Sequence, residues 1–237
     1  MSRGRTPRVD GEETRERLKA CAQRLFAQRG IDGVAIKDIL SAADARNNAS
    51  LHYHFGSKEG LIEELLLEGA QAIDADRQTM LSALDSSGRG GDVRAVLEAL
   101  VLPVLRYSQN AEGRHTYMRF VANMQMNHRT LFRAALGDRW NGGYRRCLAL
   151  LRAALSHLPA PLVEQRLSVM GIYANALLSA LEAATDATQT PATQFWSGAY
   201  TLSNALDTLQ AVLECPPSTQ TVDLLTASAA LNPASDA

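Results

Sequence analysis

Leu18, Cys21, Ala22, Leu25 and Phe26 recur at intervals of three and four, and that helical spacing rather than the period of two of a strand governs the apolar residues of this chain. No stretch alternates long enough to make a strand, and Val, Ile, Thr and the aromatics form no strand-like runs. The sequence therefore predicts an all-α fold. With 46% hydrophobic and 21% charged residues in a chain of 237, there is enough apolar surface for a substantial core.

The first helix is predicted from Asp10, an N-cap with Glu13 at the capping-box position, to about Arg29, where Gly30 stops it. A second, over about 36–43, puts Ile36, Ile39, Leu40 and Ala43 on one face and is too short to stand alone. After a turn at Asp44-Ala45-Arg46 comes a polar helix, Asn47 to about His54. Only Ala49, Leu51 or Tyr53, and Phe55 can face a core there, because Asn47, Asn48, Ser50, His52 and His54 cannot all be buried cheaply. Ser57 is placed to cap a fourth helix that carries Leu61, Ile62, Leu65, Leu66 and Leu67 to about Leu84. Beyond the break at 86–91, helices are expected over about 92–109, 114–127, 129–157, 161–186 and 192–214, with Gly142-Gly143 a break or kink inside the third. Residues 218–237 suggest a short docked helix and a frayed end.

The net charge of −1 is unevenly spread. Residues 1–60 carry eleven basic and eight acidic side chains, and the rest of the chain thirteen and seventeen. The near-neutral total argues against a coat of nucleic acid along the whole surface, and the front end is the basic end. Arg3, Arg5 and Arg8, without an acid among them, suit a flexible arm over 1–9, either solvated or touching a groove or phosphate. Cys21, Cys147 and Cys215 are odd in number and far apart, which argues against a disulfide framework or a zinc site. His52 and His54 stand two apart and do not make a metal pair, so neither metal nor cofactor is expected. A Gly-rich phosphate loop, H-E-x-x-H and G-x-S-x-G are all missing from the sequence, which argues against an enzyme. No apolar region follows the basic first residues and no run approaches the ~18 apolar residues of a membrane span, so a cytoplasmic protein without a membrane partner is expected.

Short helices with a tight turn before the third make a helix-turn-helix, whose final helix enters the major groove of DNA. Within Thr14 to Leu67, three features sharpen this: Phe26-x-x-x-Gly30, Ile36-x-Asp38-Ile39, and Leu51-His52-Tyr53-His54-Phe55-x-Ser57-Lys58-Glu59-x-Leu61. Together they resemble the N-terminal DNA-binding domain of the TetR family of transcriptional regulators. The resemblance implies a TetR-like fold of about nine helices: a helix-turn-helix domain over 10–57, a connecting helix over 58–84, a larger effector-binding and dimerisation domain over 85–215, and a tail over 216–237. It implies that the helix from Asn47 reads base edges, that His52 and His54 touch DNA, and that Lys58 contacts a phosphate at a helix N-terminus. The side chains suit these roles: Asn47 or Asn48 can pair in bidentate fashion with adenine, Arg46 can fork onto guanine or hold a phosphate, and Ser50 can bond to either. Lys37 joins the candidate DNA-binding set. Tyr53 is read as packed in part against the first helix, with its hydroxyl available to a phosphate. The chain departs from the family pattern at Val34-Ala35, where Ser or Thr is frequent, at Asp44, where Gly is common, and in one additional residue between Leu40 and Leu51 compared with the shortest members.

The resemblance also implies a homodimer on a palindromic double-stranded DNA operator and a small-molecule effector. Helices 161–186 and 192–214 are the dimer candidates: Ala174, Ala176, Ser179, Ala180, Ala183 and Ala184, interleaved with Leu177, Leu178 and Leu181, permit close approach, between subunits or within one. Effector candidates are Tyr117, Phe120, Val121, Met124, His128, Trp140, Tyr144, Ile172 and Asn175, with plain core packing as the alternative for the apolar ones. A largely apolar effector with one or two polar handles is expected, acting to release a repressor. A DNA-binding dimer without effector control and a ligand-dependent activator are the alternatives.

Overall fold

The computed structural model describes residues 7–45, 48–109, 116–137, 139, 141–186, 196 and 198–231. Among these residues every regular element is a helix, as the periodicity predicts. In chain order they are α1 (Pro7–Arg29), α2 (Ile36–Ala42), α3 (Asn48–Phe55), α4 (Lys58–Ser86), α5 (Val93–Gln109) and α6 (Tyr117–Asn127). There follow α7 (Arg129–Leu136), α8 (Gly142–Ala154), α9 (Ala160–Asp186), α10 (Thr201–Glu214) and α11 (Thr219–Leu231).

Several boundaries correct the sequence reading. The first helix begins at Pro7 and not at Asp10, because a proline in the first turn lacks only an N–H that would have had no helical partner. The helix expected over 129–157 is two: Gly137, at φ 50°, ends α7, and α8 starts afresh at Gly142. The expected start at 192 lies outside the described residues, among which the helix runs over Thr201–Glu214. Eleven helices among the described residues thus stand against about nine expected.

Local chemistry explains the front end. Ala35 has no side chain to cap α2, but Asp38, one turn in, accepts a hydrogen bond from the Ala35 N–H at 2.9 Å. In the turn after α2, Asp44 takes φ 49°, the left-handed conformation that Asp and Asn tolerate better than other side chains. Ser57 caps α4, its Oγ accepting from the Gly60 N–H at 3.0 Å.

Helix α4 is the spine. Its first turns bring Leu61, Ile62, Leu65 and Leu66 into the core that also holds Leu18 and Phe26 of α1, Ile39 of α2 and Leu51 of α3. Further along, Ile73, Leu81 and Leu84 serve its packing on α5 and α8. Ion pairs rivet α1 to α4 along the outside: Arg15 with Glu64 at 2.6 Å and Lys19 with Glu68 at 2.7 Å. Helix α1 also packs on α6, where Phe26 and Phe120 stack at a centroid distance of 5.9 Å and Gln23 donates to the Thr116 hydroxyl at 3.2 Å.

Helix α9 packs on α6 and α10 through Leu167, Met170, Ala174, Leu177 and Leu178. Over Ala160–Ala184 it is long and apolar enough to cross a membrane by length and composition, where the sequence reading found no such run. Its inner side nevertheless carries a buried acid, Glu182, and its other side exposes Val169 and Ile172. Of the small-residue set proposed for dimer contact, Ala174, Leu177 and Leu178 are therefore occupied within the subunit, and the outward face is Val169, Ile172 and Ala176.

Candidate functional site

Leu51 is fully buried and anchors α3 against the core, which turns the polar remainder of that helix outward. His52 and Tyr53 are exposed and Ser50 and His54 are half-buried. Tyr53, at 85% exposure, is not packed against the first helix: it meets the His54 ring edge-on at 5.0 Å and is otherwise open to a partner. The reason is register, since Leu51 already fills the inward position that either residue could have taken. His52 Nδ1 lies 2.6 Å from the Gly56 carbonyl. A carbonyl can only accept, so Nδ1 carries the proton of this bond. Lys37 is exposed on α2. Arg46, Asn47 and the side chain of Asn48 lie outside the described residues.

Lys58 has a different place from the one the resemblance implies. Its Nζ donates to the carbonyls of Ile31 and Val34, both at 2.6 Å, and sits 5.6 Å from the centre of the Phe26 ring. Those carbonyls belong to the turn between α1 and α2, where Ile31 otherwise accepts a long bond from the Val34 N–H at 3.4 Å. The lysine thus ties the start of α4 to that turn, with two of its three donors committed to the protein.

Between α4, α5, α6, α7, α8 and α9 lies a cavity of about 200 Å³. Of the effector candidates, Tyr117, Val121, Tyr144 and Asn175 line it. Phe120 does not, because its ring is spent on the stack with Phe26, and Met124 is buried in the core without reaching the cavity. His128 stands 3.5 Å from Asp32 instead, and Ile172, 72% exposed, points away from the subunit. Trp140 lies outside the described residues. The remaining walls are largely apolar, with Leu100, Val101, Val104, Phe132, Leu136 and Leu178. Two neutral amides close one side, Asn175 Nδ2 donating to Gln125 Oε1 at 2.7 Å. Burial pushes the Tyr144 phenol above its ordinary pKa, so it stays a neutral hydroxyl. Tyr117 is held by an edge contact with Tyr107 at 4.9 Å, and its hydroxyl donates to the Leu66 carbonyl at 3.3 Å.

One cavity residue escaped the sequence reading. Arg77 of α4 is only 6% exposed, and it donates from Nε to the Ala99 carbonyl at 3.3 Å and from Nη2 to the Leu100 carbonyl at 2.9 Å. Pro103 explains the need: without an N–H it cannot serve the carbonyl four residues back, which is that of Ala99. The signals were present in the sequence, as an arginine in an apolar row four residues after Ile73 and four before Leu81, and a proline inside α5. Burial draws the guanidinium below its ordinary pKa, yet arginine stays a cation in proteins. Asp74, one turn away, is engaged elsewhere, its Oδ1 accepting from the Gly143 N–H at 2.7 Å at the start of α8.

The end of α6 nearest α1 and α9 is held from both. Thr116 precedes the helix but its hydroxyl accepts from Gln23, so Glu182 of α9 serves the helix start, accepting from the N–H groups of Met118 at 3.0 Å and Arg119 at 2.9 Å and from the Ser108 hydroxyl at 3.0 Å. Among the described residues no three His, Cys, Asp or Glu side chains gather as a metal site.

Comparison with known proteins bears on both halves of this arrangement. A family model described as bacterial regulatory proteins, tetR family, matches residues 20–65. A second, described as Tetracyclin repressor-like, C-terminal domain, matches residues 98–200. The chain is similar to the HTH-type transcriptional repressor KstR2 of Rhodococcus jostii, at 38% identity over 88 residues, covering 37% of this chain and 39% of that protein. It is also similar to the probable HTH-type transcriptional regulator YttP of Bacillus subtilis, at 29% identity over 97 residues, covering 41% and 44% of the two chains. The chain thus spans about two-fifths of the length of each of these relatives.

Proposed function

The chain belongs to the tetR family of bacterial regulatory proteins, and from that premise we propose that it is a sequence-specific DNA-binding regulator of transcription, a homodimeric repressor released from a palindromic operator by a small, largely apolar effector. In this reading it is not an enzyme. The observation that carries it is the use of one helix for two contacts. Tyr117, Met118, Val121 and Gln125 of α6 line the cavity, while Phe120 of the same helix stacks on Phe26 of α1. A ligand that repositions α6 must act on the unit that bears α3.

In this proposal Asn48, Ser50, His52, Tyr53 and His54 meet base edges and phosphates from α3, with Lys37 on the flank. The residues through Ser57 form the reading unit, α4 the connection, and the helices beyond it the ligand and pairing unit. One short helix covers a few base pairs, so two copies are needed for a site of useful length. The outward face of α9, with Val169, Ile172 and Ala176, is the surface proposed to join them. The Rhodococcus relative is named a transcriptional repressor, which supports that direction of control here. A ligand can lower operator affinity only by its differential affinity for the two dimer states.

Selection of bound sequences from random duplex DNA, at a stated salt concentration, tests the reading. An enriched inverted repeat with half-sites about one helical turn apart supports it. Recovery of no sequence above background overturns it.

A further inference from the structure

Resting on the reading of this cavity as the effector site, we propose that its ligand is a compact monocarboxylate with an apolar body, the carboxylate seated against Arg77 and the Tyr144 hydroxyl.

The argument starts from a charge. Arg77 lines the cavity and is almost wholly buried. Its Nε serves the Ala99 carbonyl, which Pro103 leaves without a helical donor, and its Nη2 the Leu100 carbonyl; among the described residues Nη1 has no hydrogen-bond partner and no carboxylate lies within ion-pair distance of the guanidinium. Asp74, one turn away, gives its Oδ1 to the start of α8 and, like Asp76, acts on the guanidinium only through longer-range attraction without a hydrogen bond to it. A brace for two carbonyls needs donors, which a neutral amide also has; it does not need a permanent positive charge. Burying such a charge unpaired is costly, and an anionic ligand offsets that cost. The planar fork of arginine matches a carboxylate, and a bidentate or charge-assisted bond to it is stronger than a neutral one.

The surroundings set the rest of the ligand. Tyr144 lies close enough for its phenol to feel the Arg77 charge, and as a neutral hydroxyl it can donate to a carboxylate oxygen. The amides of Gln125 and Asn175 already satisfy one another and add no charge. The other walls offer no partner for a second ionic group. At an interior packing density of ~0.75, a cavity of about 200 Å³ holds a molecule of roughly ten non-hydrogen atoms. A short acyl or single-ring acid has that size.

The test uses the purified full-length chain and two probes of nearly equal size, octanoate and octan-1-ol, titrated calorimetrically. Octanoate is expected to bind at least about ten-fold more tightly, the worth of a charge-assisted bond. Arg77→Gln should abolish that preference while octan-1-ol still binds. Because Arg77 also braces α5, Tyr144→Phe provides a second variant that touches neither carbonyl; it should weaken octanoate several-fold and leave octan-1-ol unchanged. Equal binding of the two probes by the wild type, binding of neither, or a preference that survives both substitutions overturns the proposal. Val104→Trp, which fills the cavity, separates the two levels of the argument. If it blocks both probes but no preference for the acid exists, only the carboxylate assignment fails. If it blocks neither, the cavity is not the ligand site and the effector reading falls with it.

Discussion

Phe26 of α1 and Phe120 of α6 lie with ring centroids 5.9 Å apart and planes 24° from parallel, so the unit that carries α3 and the wall of the cavity share one buried aromatic stack. Both rings are fully buried. Phe120→Ala should destabilise the chain by about 3–5 kcal/mol in denaturant unfolding. Phe120→Leu, which keeps more of the volume, should cost less. In DNA binding with and without ligand, Phe120→Leu is expected to retain operator affinity and to lose most of the response to ligand. An undiminished response would show that the stack is not the coupling.

Gly69 sets the distance between α4 and the cavity wall. A Cβ there would come within 2.3 Å of two ring atoms of Tyr117, a ring that Tyr107 and the Leu66 carbonyl hold in place. Gly69→Ala should therefore cost about 1–3 kcal/mol by overpacking. Combining it with Tyr117→Leu should recover part of that loss, read as a coupling energy in a double-mutant cycle. Strict additivity of the two changes would place the strain elsewhere.

Burial holds the Glu182 carboxyl above its ordinary pKa, against the pull of the Met118 and Arg119 N–H groups, the Ser108 hydroxyl and the Arg119 charge. A group whose folded pKa is raised favours folding below its unfolded pKa and loses that contribution as pH rises through the folded one. Glu182 should thus subtract stability as pH increases upward from about 4.5. Glu182→Gln keeps an acceptor without the charge and should flatten this part of the stability profile, measured by denaturant unfolding at a series of pH values. An unchanged slope would mean that another group sets it.

The three thiols should react in order of access. Cys215 is exposed, Cys21 is partly covered with its Sγ 3.2 Å from the Ala42 carbonyl, and Cys147 is buried with its pKa pushed up to about 11. A thiol reagent in native buffer should therefore label Cys215 first, Cys21 more slowly, and Cys147 only on unfolding, since the thiolate is the reactive form. Rapid labelling of Cys147, followed by peptide mass spectrometry, would reveal that the packing of α8 on α4 opens readily.

Lys58 and Lys37 should separate stability from DNA contact. Lys58→Ala removes the donor shared by the Ile31 and Val34 carbonyls and should cost about 1–3 kcal/mol of folding stability. Lys37→Ala, on an exposed position, should leave stability unchanged and reduce the salt slope of DNA binding by about one. The reverse pattern would return Lys58 to the phosphate role.

What could be read in advance followed the physics of each signal. Helical periodicity and turn chemistry are local, and they located α2, α3 and α4 to within a residue or two, the Ser57 cap, and the tolerance of Asp44 for a left-handed turn. The division between α7 and α8 was placed five residues too late because Gly142-Gly143 is the stronger sequence signal, whereas Gly137 is where the chain takes a positive φ. Site residues were harder, since a periodic row shows that a face is buried but not what it is buried against. Phe120 and Tyr117 stand three apart on one helix, yet one faces α1 and the other the cavity. Arg77 was missed because its role depends on a proline 26 residues away in another helix.

That pairing of Arg77 with Pro103 also bears on how such a chain could diverge. The guanidinium that serves the Ala99 and Leu100 carbonyls is part of the cavity lining, so a change there alters the support of α5 together with, in the proposed reading, the preference for a ligand. Val101, Val104 and Leu136 line the same cavity as apolar side chains with no hydrogen bond to lose. A gene duplicate drifting toward a new inducer, or a library built to find one, would meet least resistance at those three positions.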